Sequence, residues 1–137
     1  MPISAPHRSI NIIAQASDPK KAIIDTVGDL SGVEVIGNMV LVGCYIRPEK
    51  TAGGIFLTDS TKEEDVWQGK CGLVLKLGPR AYKDDDDYQF HNERFDVGDW
   101  GVFKIGDSWQ LLINKVACRL MRDSSLRMKV KDPSIIF

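Results

Sequence analysis

RPEKTAGGIFLTDSTKEEDVWQGKCG, residues 47–72, decides how this chain is read. A strand-like run stops before it at Ile46, and another starts near Trp67. The span between them, roughly twenty residues, shows no helical or strand periodicity, and loops of that length in compact domains are usually functional or disordered. It holds Gly53-Gly54, the apolar triplet Ile55-Phe56-Leu57 and the acidic run Glu63-Glu64-Asp65. Paired glycines let a backbone turn sharply. Three adjacent large apolar side chains in a loop serve no solubility purpose, and read as a plug for a partner's pocket.

Outward from the loop the pattern is β. MVLVGCYI (39–46) is apolar at nearly every position, as in a strand buried on both faces or at a subunit contact. Trp67–Leu77 is a second strand, closed by Gly78-Pro79. Asp96-Val97-Gly98-Asp99 turns the chain into WGVFKI (100–105), and Gly106-Asp107-Ser108 connects to WQLLI (109–113). Asn114-Lys115 turns again before VACRL (116–120). Short strands punctuated in this way predict a small barrel or sandwich.

Both ends extend that core. Residues 1–38 form an N-terminal arm, in which Ser9–Ile12 alternates like a short strand or added edge. Ser17 or Asp18 caps a short helix with Pro19 in its first turn, and Gly28 is placed to end it. Ala22, Ile23, Val27 and Leu30 share one face of that helix, which either packs on the domain or reaches a neighbouring subunit. In the C-terminal tail, 124–137, Leu126, Met128 and Val130 alternate with Arg127, Lys129 and Lys131. Asp132-Pro133 breaks the pattern before Ile135-Ile136-Phe137. From Arg119 to Lys131 there are five basic residues against one acid. That face is either solvated or docks on an acidic protein surface, since duplex binding wants more Lys and Arg.

Composition narrows the classes of function. A chain of 137 residues allows one modest domain with appended arms. A net charge of −1 gives no drive toward nucleic acid or an anionic membrane. No apolar run reaches the 18 or so residues needed to cross a bilayer, and MPISAPHRSINIIAQ has no signal-peptide h-region. Cys44, Cys71 and Cys118 lie in apolar runs without CxxC spacing, as buried free thiols do. With only His7 and His91 available, a zinc site is not expected. Asp84–Asp87, inside the polar segment 79–95, lacks the Gly and bidentate Glu of an EF-hand and reads as solvated loop. Those carboxylates have no nearby His or Lys suited to acid–base work, so neither a catalytic residue nor a cofactor is expected.

The ordered set Lys50-Thr51-Ala52-Gly53-Gly54-Ile55-Phe56-Leu57, Gly69-Lys70-Cys71-Gly72-Leu73-Val74, Leu77-Gly78-Pro79 and Val97-Gly98-Asp99 resembles the GroES co-chaperonin family over about residues 36–123. Gly98-Asp99-Trp100, Cys118-Arg119-Leu120 and Asp132-Pro133 are similar to GroES-like proteins of tailed bacteriophages. The resemblance implies a mainly β fold: a partly open GroES-like β-barrel over 39–123, with the long loop at 47–66 and an acidic roof hairpin loop at 79–95. It implies that Gly53, Gly54, Ile55, Phe56 and Leu57 bind a partner, as the family's mobile loop does in an apolar groove of GroEL. The alcohol dehydrogenases that share this fold carry a Rossmann domain, for which this chain has neither the length nor a G-x-G-x-x-G.

Three departures shape the functional expectation. About 38 residues precede the first barrel strand, a basic-apolar tail follows the last, and Thr58 stands where the family's loop commonly has Pro. The first expectation is a phage virion protein that cements or decorates the capsid, made in the host bacterial cytoplasm. The arms and loop would clamp neighbouring major capsid protein subunits, with contacts at Ile10, Ile12, Ile13, Arg127, Lys129, Lys131, Ile135, Ile136 and Phe137. The second is a phage-encoded co-chaperonin, a homo-oligomeric ring that caps a GroEL-type chaperonin. Neither expectation involves nucleic acid or a membrane.

Overall fold

A computed structural model describes residues 18–46 and 70–136. Six antiparallel strands form one sheet: β1 (Met39–Cys44), β2 (Cys71–Leu77), β3 (Trp100–Phe103), β4 (Ser108–Ile113), β5 (Val116–Arg122) and β6 (Leu126–Val130). The spatial order is β4-β5-β1-β2-β3-β6. The sheet curls without closing, since β4 and β6 stand at its two edges and do not pair with each other. This is the partly open barrel expected from the sequence.

Apolar side chains fill both faces, which explains why β1 reads as an unbroken hydrophobic run. Val40 sits opposite Met121, and Val42 opposite Val74. These four join Ala81, Phe95, Phe103 and Leu126 in one cluster. Leu41, Leu73 and Cys118 belong to a second cluster, to which the helix α1 (Pro19–Val27) contributes Ile23 and Val27. Asp18 caps α1 by accepting from the Lys21 N–H, and Gly28 ends it at φ 73°. The predicted apolar face is correct: Ile23 and Val27 are buried, and Ala22 and Leu30 pack beside them.

The helix needs a glycine beneath it. A Cβ on Gly43 would lie 2.8 Å from Ile23 Cγ2 and 3.2 Å from Leu75 Cδ1. Behind α1, the half-buried Lys76 donates from Nζ to the carbonyls of Leu30 (2.7 Å) and Val33 (2.5 Å), tying the connecting segment to β2. The described part of the arm, from Asp18 to Asn38, thus packs on its own barrel.

The tail also joins the sheet. β6 pairs with β3, placing Trp100 opposite Val130 and Val102 opposite Met128. Strand ends shift modestly from expectation: β3 stops at Phe103 and gives way to a 3₁₀ turn at Ile105–Asp107, β4 takes in Ser108, and β5 continues to Arg122.

Candidate partner-binding site

The loop expected to bind a partner is held at its base by three strands. Cys44 faces Gly72, and beyond them the Tyr45 N–H donates to the Cys71 carbonyl at 2.9 Å. The Phe103 N–H donates to the Lys70 carbonyl at 2.9 Å, fixing the second stem to β3. Tyr45 and Ile46 are buried, and the Tyr45 ring meets Trp100 edge-on at 5.7 Å. The two described stems, ending at Ile46 and resuming at Lys70, are thus bonded into neighbouring strands. Gly53, Gly54, Ile55, Phe56 and Leu57 lie outside the described residues, as do Ile10, Ile12, Ile13 and Phe137.

The roof segment between β2 and β3 folds on local bonds. Its entry needs a glycine at 78, where a Cβ would come within 2.3 Å of the Gly37 carbonyl oxygen. Asp84 accepts from the Phe90 N–H, and Asp85 accepts from the N–H groups of Asp87 and Tyr88. Two members of the acidic run thus act as turn formers. Tyr82, Tyr88, Phe90 and Phe95 stack in a chain of ring contacts beneath. The buried Asp123 latches the segment to the corner between β5 and β6: its carboxylate accepts from the Tyr82 N–H, and its carbonyl accepts from Tyr82 Oη, each at 3.0 Å. Burial, with the Asp123 charge beside it, pushes the Tyr82 phenol well above its ordinary value.

The basic tail residues divide in use. Lys129 pairs with Asp99 at 3.3 Å, donates to the Arg94 carbonyl and sits over the Phe95 ring. Its charge is spent within the chain. Arg127 donates to the Ser124 carbonyl yet is exposed, as is Lys131. Ile135 is 72% exposed, while Ile136 packs on the core.

The three cysteines are free and buried. Burial raises the Cys44 thiol to about 11 even with Arg119 beside it, and the Cys71 and Cys118 thiols to about 12. At neutral pH they are unreactive core residues. Among the described residues no group of three or more His, Cys, Asp or Glu side chains is placed to hold a metal ion.

The structure adds residues that sequence reasoning passed over. Trp109 is 67% exposed and Leu112 46% exposed, both on the edge strand β4. Trp109 borders a shallow groove with Met39, Leu120, Arg122 and Arg127. Arg119, buried on the next strand, donates from its guanidinium to Ser108 Oγ and Gln110 Oε1. The available signal was WQLLI itself, an edge run without a charge.

Residues 32–130 match the model of the chaperonin 10 kDa subunit family, Cpn10. The match takes in all six strands, both loop stems and the roof segment. With most of its length covered and the sheet folded as a partly open barrel, the chain belongs to the chaperonin 10 kDa family.

Proposed function

We propose that this protein is a non-enzymatic co-chaperonin subunit that docks Ile55-Phe56-Leu57 into an apolar groove of a GroEL-type chaperonin. The carrying observation is the loop base, where hydrogen bonds from Tyr45 to Cys71 and from Phe103 to Lys70 tie the two stems into adjacent strands. The family supports the same reading, since its members work with chaperonins and oligomerise. Burying three large apolar side chains contributes about 1.5–3 kcal/mol each. Ordering a long loop offsets much of this at about 1–2 kcal/mol per residue. Each contact is then weak, and several copies on one ring make it useful. On this reading a phage makes the protein in its host's cytoplasm, which draws on the sequence resemblance of Gly98-Asp99-Trp100, Cys118-Arg119-Leu120 and Asp132-Pro133 to GroES-like phage proteins.

A second reading is a capsid cement protein clamped between major capsid protein subunits in the virion. It draws on the exposed Trp109, Leu112 and Ile135, which suit burial in a lattice. The arms support it less than their sequence suggested, because Asp18–Val27 and Leu126–Val130 pack on their own barrel. Native mass spectrometry with a GroEL-type chaperonin and nucleotide tests the first reading, which predicts a complex of the chaperonin with a ring of this chain. No complex, together with the protein's presence in purified particles, would move the assignment to the second.

A further inference from the structure

Trp109 and Arg122 share one face of the sheet. Trp109 stands opposite Leu120 and Met39 opposite Arg122, so strand alternation puts all four side chains on the same side. Farther along β1 that face is covered by α1, where Ile23 lies over Gly43. At the Met39 end it opens instead into the shallow groove bordered by Trp109, about 630 Å³ in volume. Large apolar side chains left in water on one patch mark a surface that meets a partner.

The charge on this groove says what kind of partner. Arg122 and Arg127 both border it and both are exposed. Arg127 is steadied there by donating from Nε to the Ser124 carbonyl at 2.9 Å. Among the described residues neither guanidinium pairs with a carboxylate. The one acid on the lining is Asp107, in the 3₁₀ turn before β4. An exposed indole beside two uncompensated guanidiniums is complementary to a ligand that is apolar and anionic at once. We propose that this groove binds an extended acidic peptide segment of a partner protein, which lays an apolar side chain on Trp109 and brings a carboxylate to Arg122 and Arg127.

The shape of the surface selects an extended peptide. A second groove, bordered by Tyr88 and Phe90 of the roof, shares Ser124 and Arg127 with the first. Tyr88 is half-exposed, and its ring lies 4.5 Å from that of Phe90. A chain crossing Arg127 therefore finds an aromatic surface on either side. Small molecules need a site that buries most of their surface, which a shallow groove does not give. A nucleic-acid backbone wants more cations than two, and Asn38, at the margin of the groove, also borders a cavity lined by Asp84 and Asp85. A peptide with one or two carboxylates between apolar residues meets neither objection. The surface uses no residue of 47–69, so it does not depend on which larger partner the loop binds.

Fluorescence anisotropy with short labelled peptides tests it on the full chain. Three peptides share Phe and Leu anchors and differ only between them, where they carry Asp-Glu, Lys-Lys or Ser-Ser. The Asp-Glu peptide should bind at least about tenfold more tightly than the other two, and its binding should weaken as salt is raised. Trp109→Ala should weaken that binding about tenfold or more. Arg122→Glu combined with Arg127→Glu should transfer the preference to the Lys-Lys peptide. All three side chains are exposed, and unchanged circular dichroism confirms that the variants fold. I55S/F56S/L57S protein should bind the Asp-Glu peptide as the wild type does, which separates this surface from the loop. Equal binding of the three peptides, binding of none, or no effect of the Trp109 and arginine substitutions would overturn the proposal. Tighter binding of a short oligothymidylate than of the Asp-Glu peptide would overturn it in favour of single-stranded nucleic acid.

Discussion

Asn114 donates from Nδ2 to the main-chain carbonyl of Val27 at 2.5 Å, joining residues 87 positions apart in the chain. The bond fixes the last turn of α1 to the two-residue turn between β4 and β5. It makes the helix part of the barrel. Asn114 and Lys115 both have positive φ, 49° and 70°, as a tight hairpin turn of this length requires.

Two substitutions at that turn should move stability in opposite directions. Asn114→Gly keeps the turn but removes the bond to Val27, and should cost about 1 kcal/mol. Lys115→Gly relieves a side chain held in the left-handed region, and should stabilise by about 0.5–1 kcal/mol net of the entropy glycine adds to the unfolded chain. Urea unfolding of the two variants reads both effects.

Ile23→Ala should destabilise by about 2–4 kcal/mol, since the side chain is fully buried between α1 and the sheet. Gly43→Ala should act on the same contact from beneath, costing about 1–3 kcal/mol as Ile23 and Leu75 are forced aside. If either variant melts with the wild type, the helix is not anchored as described.

Most of the barrel was legible because its strands alternate with Gly, Asp and Asn turns, and because β1 is apolar on both sides. The cap at Asp18, the stop at Gly28 and the buried pair Ile23 and Val27 were likewise readable from helix periodicity. The use of Lys129 was not. A strand with one basic face looks the same in sequence whether it is solvated or paired with Asp99, 30 positions away. Nor could local pattern show that β4 would be an edge, since strand order is set by long-range pairing. The loop residues Gly53–Leu57 lie outside the described residues, so their role rests on family likeness and on the geometry of their stems.

Asp123→Ala should loosen the roof segment more than the barrel. It removes the carboxylate that accepts from the Tyr82 N–H and leaves that donor in a half-buried site, a loss of about 1.5–3 kcal/mol. Hydrogen exchange should rise across residues 80–95 while β1, β2 and β5 stay protected. Uniform loss of protection would show that the latch supports the whole fold.

The buried thiols give a pH dependence with a defined sign. Their folded-state values, about 11 for Cys44 and about 12 for Cys71 and Cys118, lie above the ordinary 9.0. The folded chain therefore holds these protons more tightly than the unfolded one. Their contribution is complete below pH 9 and is lost as pH rises toward 11–12. Iodoacetamide at pH 8 should leave all three unmodified in the native protein and modify all three in urea. Rapid native labelling would contradict their burial.

The central claim, that Ile55-Phe56-Leu57 engages a chaperonin, is tested most directly by binding of wild-type and I55S/F56S/L57S protein to a GroEL-type ring with nucleotide. The wild type should form a stable complex. The triple variant should lose it at least a hundredfold while keeping its own native mass. Equal binding by both proteins, or none by the wild type, would contradict the account.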